Sequence, residues 1–230
     1  VGQFGLVADY STFKTDGFRQ NSQTERNQFN GKLTYDHDDK TRVSFVANIF
    51  DMPYAYDAKG LNWADSQSRP NYSSNYGDAR RYRKQINQEQ VGLILDHKID
   101  SQTLIKTFGY LGHRENTHVN SGNFFVGLDR DYGGVGFELQ KKSSLLQMPS
   151  NYVIGFNIDR SKEINNRGSI NSVGEINDPF SSRKENREAK NIDLYAQNTL
   201  QVADKWSAVA GFRATQVKLS SNDLKSGAYS

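Results

Sequence analysis

Cysteine is absent from the 230 residues, which removes disulfide frameworks, cysteine-ligated zinc and thiol nucleophiles together and leaves the redox compartment open. Long apolar runs are missing too. The longest patches, such as residues 91–95, are a handful of residues, against the roughly 18 that a membrane helix needs. Mean hydropathy is -0.78, yet this excludes helical spans only: a transmembrane strand turns every second residue to lipid and carries a weak hydropathy signal. Net charge is +3, too small to argue for nucleic acid, and no nucleic-acid partner is expected. Histidine is scarce as well, with His37, His97, His113 and His118 showing no metal-ligand spacing. Neither a catalytic constellation nor a metal site is expected.

What is present is aromatic and alternating. Tyrosine (12) and phenylalanine (13) dominate the aromatics, a mix that favours strands. About nine segments of roughly 8 to 14 residues alternate apolar with polar. Residues 2–13 place Phe4, Leu6, Ala8 and Tyr10 on one face, and residues 28–36 do the same with Phe29, Leu33 and Tyr35. Residues 41–50 oppose Val43, Phe45, Ala47 and Ile49 to Arg42, Ser44 and Asn48; residues 89–99 oppose Val91, Leu93 and Leu95 to Gln90, Gly92 and Asp96. Residues 103–114 are ambiguous, because Lys106 shares a face with Leu104, Phe108 and Tyr110. Residues 132–141, 152–160, 191–202 and 207–219 complete the set.

Connections run long, short, long, short, with every long one on one side. Outer-membrane barrels show that pattern, having short periplasmic turns and longer extracellular loops. All four prolines, Pro53, Pro70, Pro149 and Pro179, fall in predicted loops or turns. Tyr35, Tyr152 and Trp206 fall near short turns, where a ring can straddle the headgroup boundary or pack at a barrel rim. The polar faces would line a wet lumen and the apolar faces would meet lipid. A soluble sandwich and an open porin remain alternatives at this point. Gly133-Gly134 with Gly136 precedes no helix and reads as a strand bend, not a phosphate cradle.

Several runs resemble TonB-dependent outer-membrane receptors: Tyr195-Ala196-Gln197-Asn198 through Ala203-Asp204-Lys205-Trp206-Ser207 to Ala210-Gly211-Phe212-Arg213, and Asp16-Gly17-Phe18-Arg19-Gln20-Asn21-Ser22 followed by Arg26, Asn30, Lys32-Leu33 and Tyr35. Ala58-Lys59-Gly60-Leu61 onward to Arg69, then Arg80 to Gln90-Val91-Gly92-Leu93, resembles the YncD-like branch of the ferric-dicitrate type; Asp129-Arg130-Asp131-Tyr132-Gly133-Gly134-Val135-Gly136 adds a weaker match. The resemblance covers nearly all of residues 1–230. It implies an all-β, antiparallel transmembrane barrel of roughly 22 strands around a plug, of which this chain supplies about nine. Val1 follows no signal peptide and Ser230 closes a polar run, so the chain is expected to be an excerpt, without the plug and the closing strands.

The resemblance further implies uptake driven by a TonB complex acting through the plug, with outer-membrane lipid and lipopolysaccharide as surroundings. The cargo would be a ferric siderophore or ferric citrate-like chelate, iron entering only as part of it and no cofactor being held by the chain; a small anionic cofactor such as pyrroloquinoline quinone is the alternative. Residues 51–88 are the expected ligand-binding loop, interleaving Tyr54, Tyr56, Trp63, Tyr72, Tyr76 and Tyr82 with Arg69, Arg80, Arg81 and Arg83. Flat rings and bidentate guanidinium donors suit a planar anionic chelate, although the same residues could pack the loop on itself or meet lipopolysaccharide phosphates. Arg42, Arg114, Arg160 and Arg213 are expected on the lumen side, holding the plug. Residues 168–190, with Arg183, Lys184 and Arg187 near Glu185 and Glu188, read as a solvated loop of mixed sign.

Overall fold

In the computed structural model, which describes residues 2–74 and 80–225, nine antiparallel strands form one sheet in sequence order. They are β1 (Phe4–Thr15), β2 (Thr24–Asp36), β3 (Thr41–Tyr56), β4 (Arg83–Lys98), β5 (Thr103–Asn120), β6 (Phe124–Leu145), β7 (Met148–Ile170), β8 (Ile176–Ala203) and β9 (Trp206–Asp223), with one short helix, α1 (Trp63–Ser68), between β3 and β4.

Register rows run unbroken across the strands. One row is Leu6, Leu33, Phe45, Leu93, Gly109, Val135, Ile158, Ile192 and Gln216. Its counterpart on the other face is Lys32, Val46, Gly92, Tyr110, Gly134, Asp159, Asn191 and Val217. Because the side-chain period is two, correct register gathers most of the apolar residues on one face, with Val7, Val46 and Val217 on the other. That apolar face is the exposed one, with Phe45 at 44%, Leu93 at 53% and Ile154 at 50%. Ser44 and Asp193, on the polar face, are at 3% and 1%. Side chains crowd on the concave side of a curved sheet and splay on the convex side, so the polar face is the inner wall and the apolar face the outer.

One end of the sheet is closed tightly. Asp38 Oδ1 accepts from the amides of Lys40 and Thr41 at 2.9 and 2.6 Å, and Asp100 Oδ1 accepts from those of Gln102 and Thr103 at 2.7 and 2.8 Å; each aspartate supplies the acceptor that sets a tight Asx turn. Leu146 and Gln147 both have positive φ (52° and 63°), the two-residue geometry that matches the twist of the strands it joins. Phe4 and Tyr35 stack at 4.8 Å on the outer face beside this end, and Tyr152 and Trp206 lie on the same face near their own turns.

The other end departs from expectation. β6, β7 and β8 run for 22, 23 and 28 residues, far beyond the roughly 9–11 of one bilayer crossing. Two of the expected long loops are therefore strand, closed by short turns at residues 121–123 and 171–175. Beyond the apolar band both faces meet water, the polar alternation disappears from the sequence, and only the backbone ladder continues. Prolines needed the same correction. Pro53 stands in β3 at the bulge between Met52 and Ala55, Pro149 is the second residue of β7, and Pro179 lies where β8 shifts register against β7. Bulges and strand ends do not require the missing amide.

On the inner wall, flat rings lie across glycines. A Cβ at Gly112 would strike the Tyr132 ring, at Gly136 the Phe108 ring and at Gly155 the Tyr195 ring, and one at Gly134 would strike the Asp159 carboxylate and come within 2.9 Å of both Ile158 O and the Tyr110 ring. The Tyr110, Tyr132 and Tyr195 hydroxyls donate to Asp159, Gln90 and Glu138. Glycine is required at Gly136 by the ring above it and at Gly134 by the Asp159 carboxylate, the Ile158 carbonyl and the Tyr110 ring together, so both are seats for neighbouring groups rather than bends.

Candidate functional site

The long β3–β4 connection is built by arginines acting on backbone. Arg19, from the β1–β2 connection, donates to the Tyr72 carbonyl through Nε (3.1 Å) and Nη2 (2.8 Å), to Lys59 O at 2.6 Å and to Ala58 O at 3.1 Å. Sequence reasoning quoted Arg19 only as part of a motif; nothing local to it signals a partner some fifty residues away. Arg80 bonds Asn123 in the β5–β6 turn, and Arg83 reaches Gly174 O in the β7–β8 turn at 3.5 Å. Four connections are thereby tied into one cap.

The expected ligand-binding set divides accordingly. Tyr82 is buried (4%) with Val119, Phe125 and Ile170, and the Lys59 and Arg80 cations sit 5.0 and 5.3 Å from its ring. It is the centre of a small core. Tyr54 and Tyr56 stack at 5.1 Å, but the bulge at Pro53 turns them to the outer face, opposite Glu25 and Arg83. The Tyr54 hydroxyl donates to Glu25 at 3.0 Å, and Lys14 pairs with the same carboxylate at 3.1 Å. The Lys14 ammonium and then the Tyr54 hydroxyl hold Glu25 below the usual carboxylate range. Trp63 opens α1 at 79% exposure, and Arg69 lies 3.9 Å over the Tyr72 ring while bonding Asp65 at 2.7 Å. Arg81 is exposed in the left-handed region (φ 45°). Tyr76 lies outside the described residues. Among the described residues, these side chains do not converge on one pocket.

Of the four arginines expected on the lumen side, three lie on the inner face of the sheet. Arg42 makes a two-pronged bond to Asp36 (2.6 and 2.9 Å) near a short turn, Arg114 reaches Gln88 at 3.1 Å, and Arg213 pairs with Asp193 at 3.0 Å. Arg160 is on the opposite wall. It continues the face of Ile154, Phe156 and Ile158, by the same period of two that placed those residues, and it bonds Glu188 there.

A different cationic surface emerges on the inner face of the β5–β8 extensions. Register sets Gln88, Arg114, Arg130, Glu163 and Arg187 side by side. Glu163 bonds Arg130 and lies 3.5 Å from Arg187, which also holds Glu185 at 2.6 Å; Arg183 reaches Glu185 at 3.3 Å, and Arg167 lies 3.9 Å over the Phe124 ring. Five arginines thus surround two carboxylates. Arg183 and Arg187, expected in a solvated loop, are wall residues of β8. The sequence sign was there in Asp129-Arg130-Asp131, where period two sends the arginine inward and both aspartates outward to His113.

His113 and His118 sit on opposite faces of β5. The Asp131 bond, with Asp129 and Glu115 nearby, raises the His113 pKa, whereas burial, with Lys59 and Lys84 close, lowers that of His118.

A two-faced meander with its rows in register, tight turns at one end and long extensions at the other is a barrel wall, and residues 2–230 match the family model for the TonB-dependent receptor-like β-barrel. The chain belongs to that family. Among solved structures, this TonB-dependent receptor segment is similar to the ferric citrate transporter FecA in its unliganded form (18% identity, 98% of this chain and 34% of that one, TM-score 0.82). It is similar also to the open form of the ferric-catecholate import receptor Fiu from E. coli K12 (11%, 96% and 41%, 0.76) and to the siderophore receptor PiuA from Acinetobacter baumannii (12%, 97% and 40%, 0.72). At these identities the likeness is one of fold. The segment spans 34 to 41% of the length of these three chains.

Proposed function

We propose that this segment is part of the wall of an outer-membrane receptor that captures a scarce anionic chelate from outside and admits it when a TonB complex acts on a plug in the lumen. Ferric citrate-like or siderophore complexes are the leading cargo. The inner-face arginines of β5–β8, standing beyond an apolar band about one crossing tall, carry this reading. Guanidinium groups on a fixed wall present paired N–H donors that match carboxylate geometry. With only Glu163 and Glu185 among them, they keep donor capacity for a multiply charged ligand. The wall makes and breaks no bond; it binds and orients. The named ligands of the similar structures, ferric citrate and ferric catecholate, are of the same chemical class.

The test is uptake of radiolabelled iron by cells carrying the full-length receptor, with ferric citrate and a ferric catecholate supplied separately, in the presence and absence of TonB. Energy-dependent uptake of one chelate is expected, with an Arg183→Gln, Arg187→Gln variant weakening apparent affinity on the order of tenfold, as loss of one or two charge-assisted bonds implies. TonB-independent leakage would instead mark an open pore. Binding of pyrroloquinoline quinone with no response to iron chelates would transfer the site to a small anionic cofactor, the alternative that the YncD-like resemblance raises.

A further inference from the structure

The outer wall carries a second cationic feature, separate from the inner arginines. Register places Arg160, Lys190 and Lys218 abreast on β7, β8 and β9, within about 10 Å at the usual strand spacing. All three are exposed. Beneath Arg160 and Lys190 the same wall is apolar, with Ile158 and Ile192 in the next row and Phe156 and Leu194 in the one after, while β9 places Gln216 and then Ala214 beneath Lys218. Counted from the row Ser150, Leu200 and Ala208 beside the tight turns, the cationic row lies about eleven residues along each strand, which is one bilayer crossing. Glu188 bonds Arg160 and lies 3.4 Å from Lys190; one carboxylate between two cations orients them and leaves net positive charge, to which Lys218 adds, while Lys162 in the row above stands between Asp131 and Glu188.

Around the same rim the sign reverses. On β4 and β6 the outward residues just above the band are Glu89 and Asp131, both exposed. A uniformly basic rim would attract any polyanion weakly. Segregation of charge makes one sector favourable and its neighbour repulsive.

We propose that Arg160, Lys190 and Lys218 form a binding site for the phosphate of an anionic lipid headgroup on the outer wall of β7–β9. This rests on the membrane reading above and adds a position and a ligand class to it. The apolar rows below receive the acyl chains while the three cations meet the headgroup at the height where a phosphate must lie, and the site faces away from the lumen, so cargo cannot occupy it. Arginine supplies two parallel donors to one phosphate, and each lysine a compact charge beside it.

The experiment uses the full receptor that contains this segment, reconstituted in phosphatidylcholine nanodiscs with a minor fraction of phosphatidic acid, with retained lipids read by native mass spectrometry. The expected result is preferential retention of phosphatidic acid, reduced at least fivefold in the triple variant R160Q/K190Q/K218Q. The charge-keeping pair R160K/K190R should retain the preference, and so should K40Q/K205Q at the opposite end, which excludes a response to overall charge. Equal retention by the triple variant and the unsubstituted receptor, both inserted as heat-modifiable β-structure, overturns the site while leaving the membrane reading in place. Failure of the unsubstituted receptor to enter any bilayer overturns both.

Discussion

The lower and upper halves of β5–β8 are the same strands in two different surroundings. Between the tight turns and the row of Arg160, the outward residues include Ile105, Leu111, Phe137, Val135, Ile154, Phe156, Ile158, Leu194 and Ile192, and the inward ones include Phe108, Lys106, tyrosines, glycines, asparagines and carboxylates. Above that row His113, Glu115, Asp129 and Lys162 point outward while Arg130, Glu163 and Arg187 point inward. The ladder is common to both halves. What differs is the source of stability. Below, faces are sorted by solvent; above, backbone bonds, cross-strand ion pairs and one small apolar cluster hold a wet ribbon together.

If the halves are independently held, damage to one should spare the other. Phe125→Ala, at the centre of the Tyr82, Val119 and Ile170 cluster, should lower the opening free energy of the extensions by about 3–5 kcal/mol. Hydrogen exchange should show this in residues 115–130 with the urea midpoint of the membrane-embedded part unmoved; a shifted midpoint would make the two halves one cooperative unit. Lysine at Leu93 or Ile154 should have the converse effect, costing about 2–4 kcal/mol near mid-bilayer. Asn157→Lys, on the inner face, should cost far less. Unfolding in lipid vesicles measures all three, and equal cost would erase the distinction between faces.

Arg19→Ala should cost about 2 kcal/mol by removing a charged donor from three backbone carbonyls, and limited proteolysis should then cut within residues 57–73 first. Smallest is the pH response. His113, raised by Asp131, contributes stability that is full below its ordinary 6.5 and lost as pH rises through its higher folded value. His118 has the opposite sign: burial lowers its pKa, so its environment is fully stable above 6.5 and weakens as pH falls. NMR titration of the two imidazoles should give midpoints on either side of 6.5, and identical midpoints would show that the two faces of β5 are equally solvated there.

The same contrast explains how much could be read from the residues alone. In the lower half lipid imposes a strict period of two, so Phe45, Leu93 and Ile154 declare their face. In the upper half no apolar alternation is needed, and residues 168–190 read as loop although most are strand. Side chains misplaced in advance share that cause: Arg160 follows the alternation of its neighbours without sharing their chemistry, and Tyr54 and Tyr56 change faces at a one-residue irregularity beside Pro53. Arg19, Arg80 and Arg83 are arginines of a kind that also suits ligand capture; only tertiary contacts reveal that their donors are spent on carbonyls and an amide oxygen.

The ring-over-glycine pairs at Gly112, Gly134, Gly136 and Gly155 bear on how a body inside such a tube would travel. Tyrosine and phenylalanine there lie flush instead of projecting, leaving a shallow, smooth track edged with hydroxyls that can exchange one hydrogen-bond partner for the next. A methyl group at Gly112, Gly136 or Gly155 would tip a ring into the passage and turn the track into a ratchet tooth.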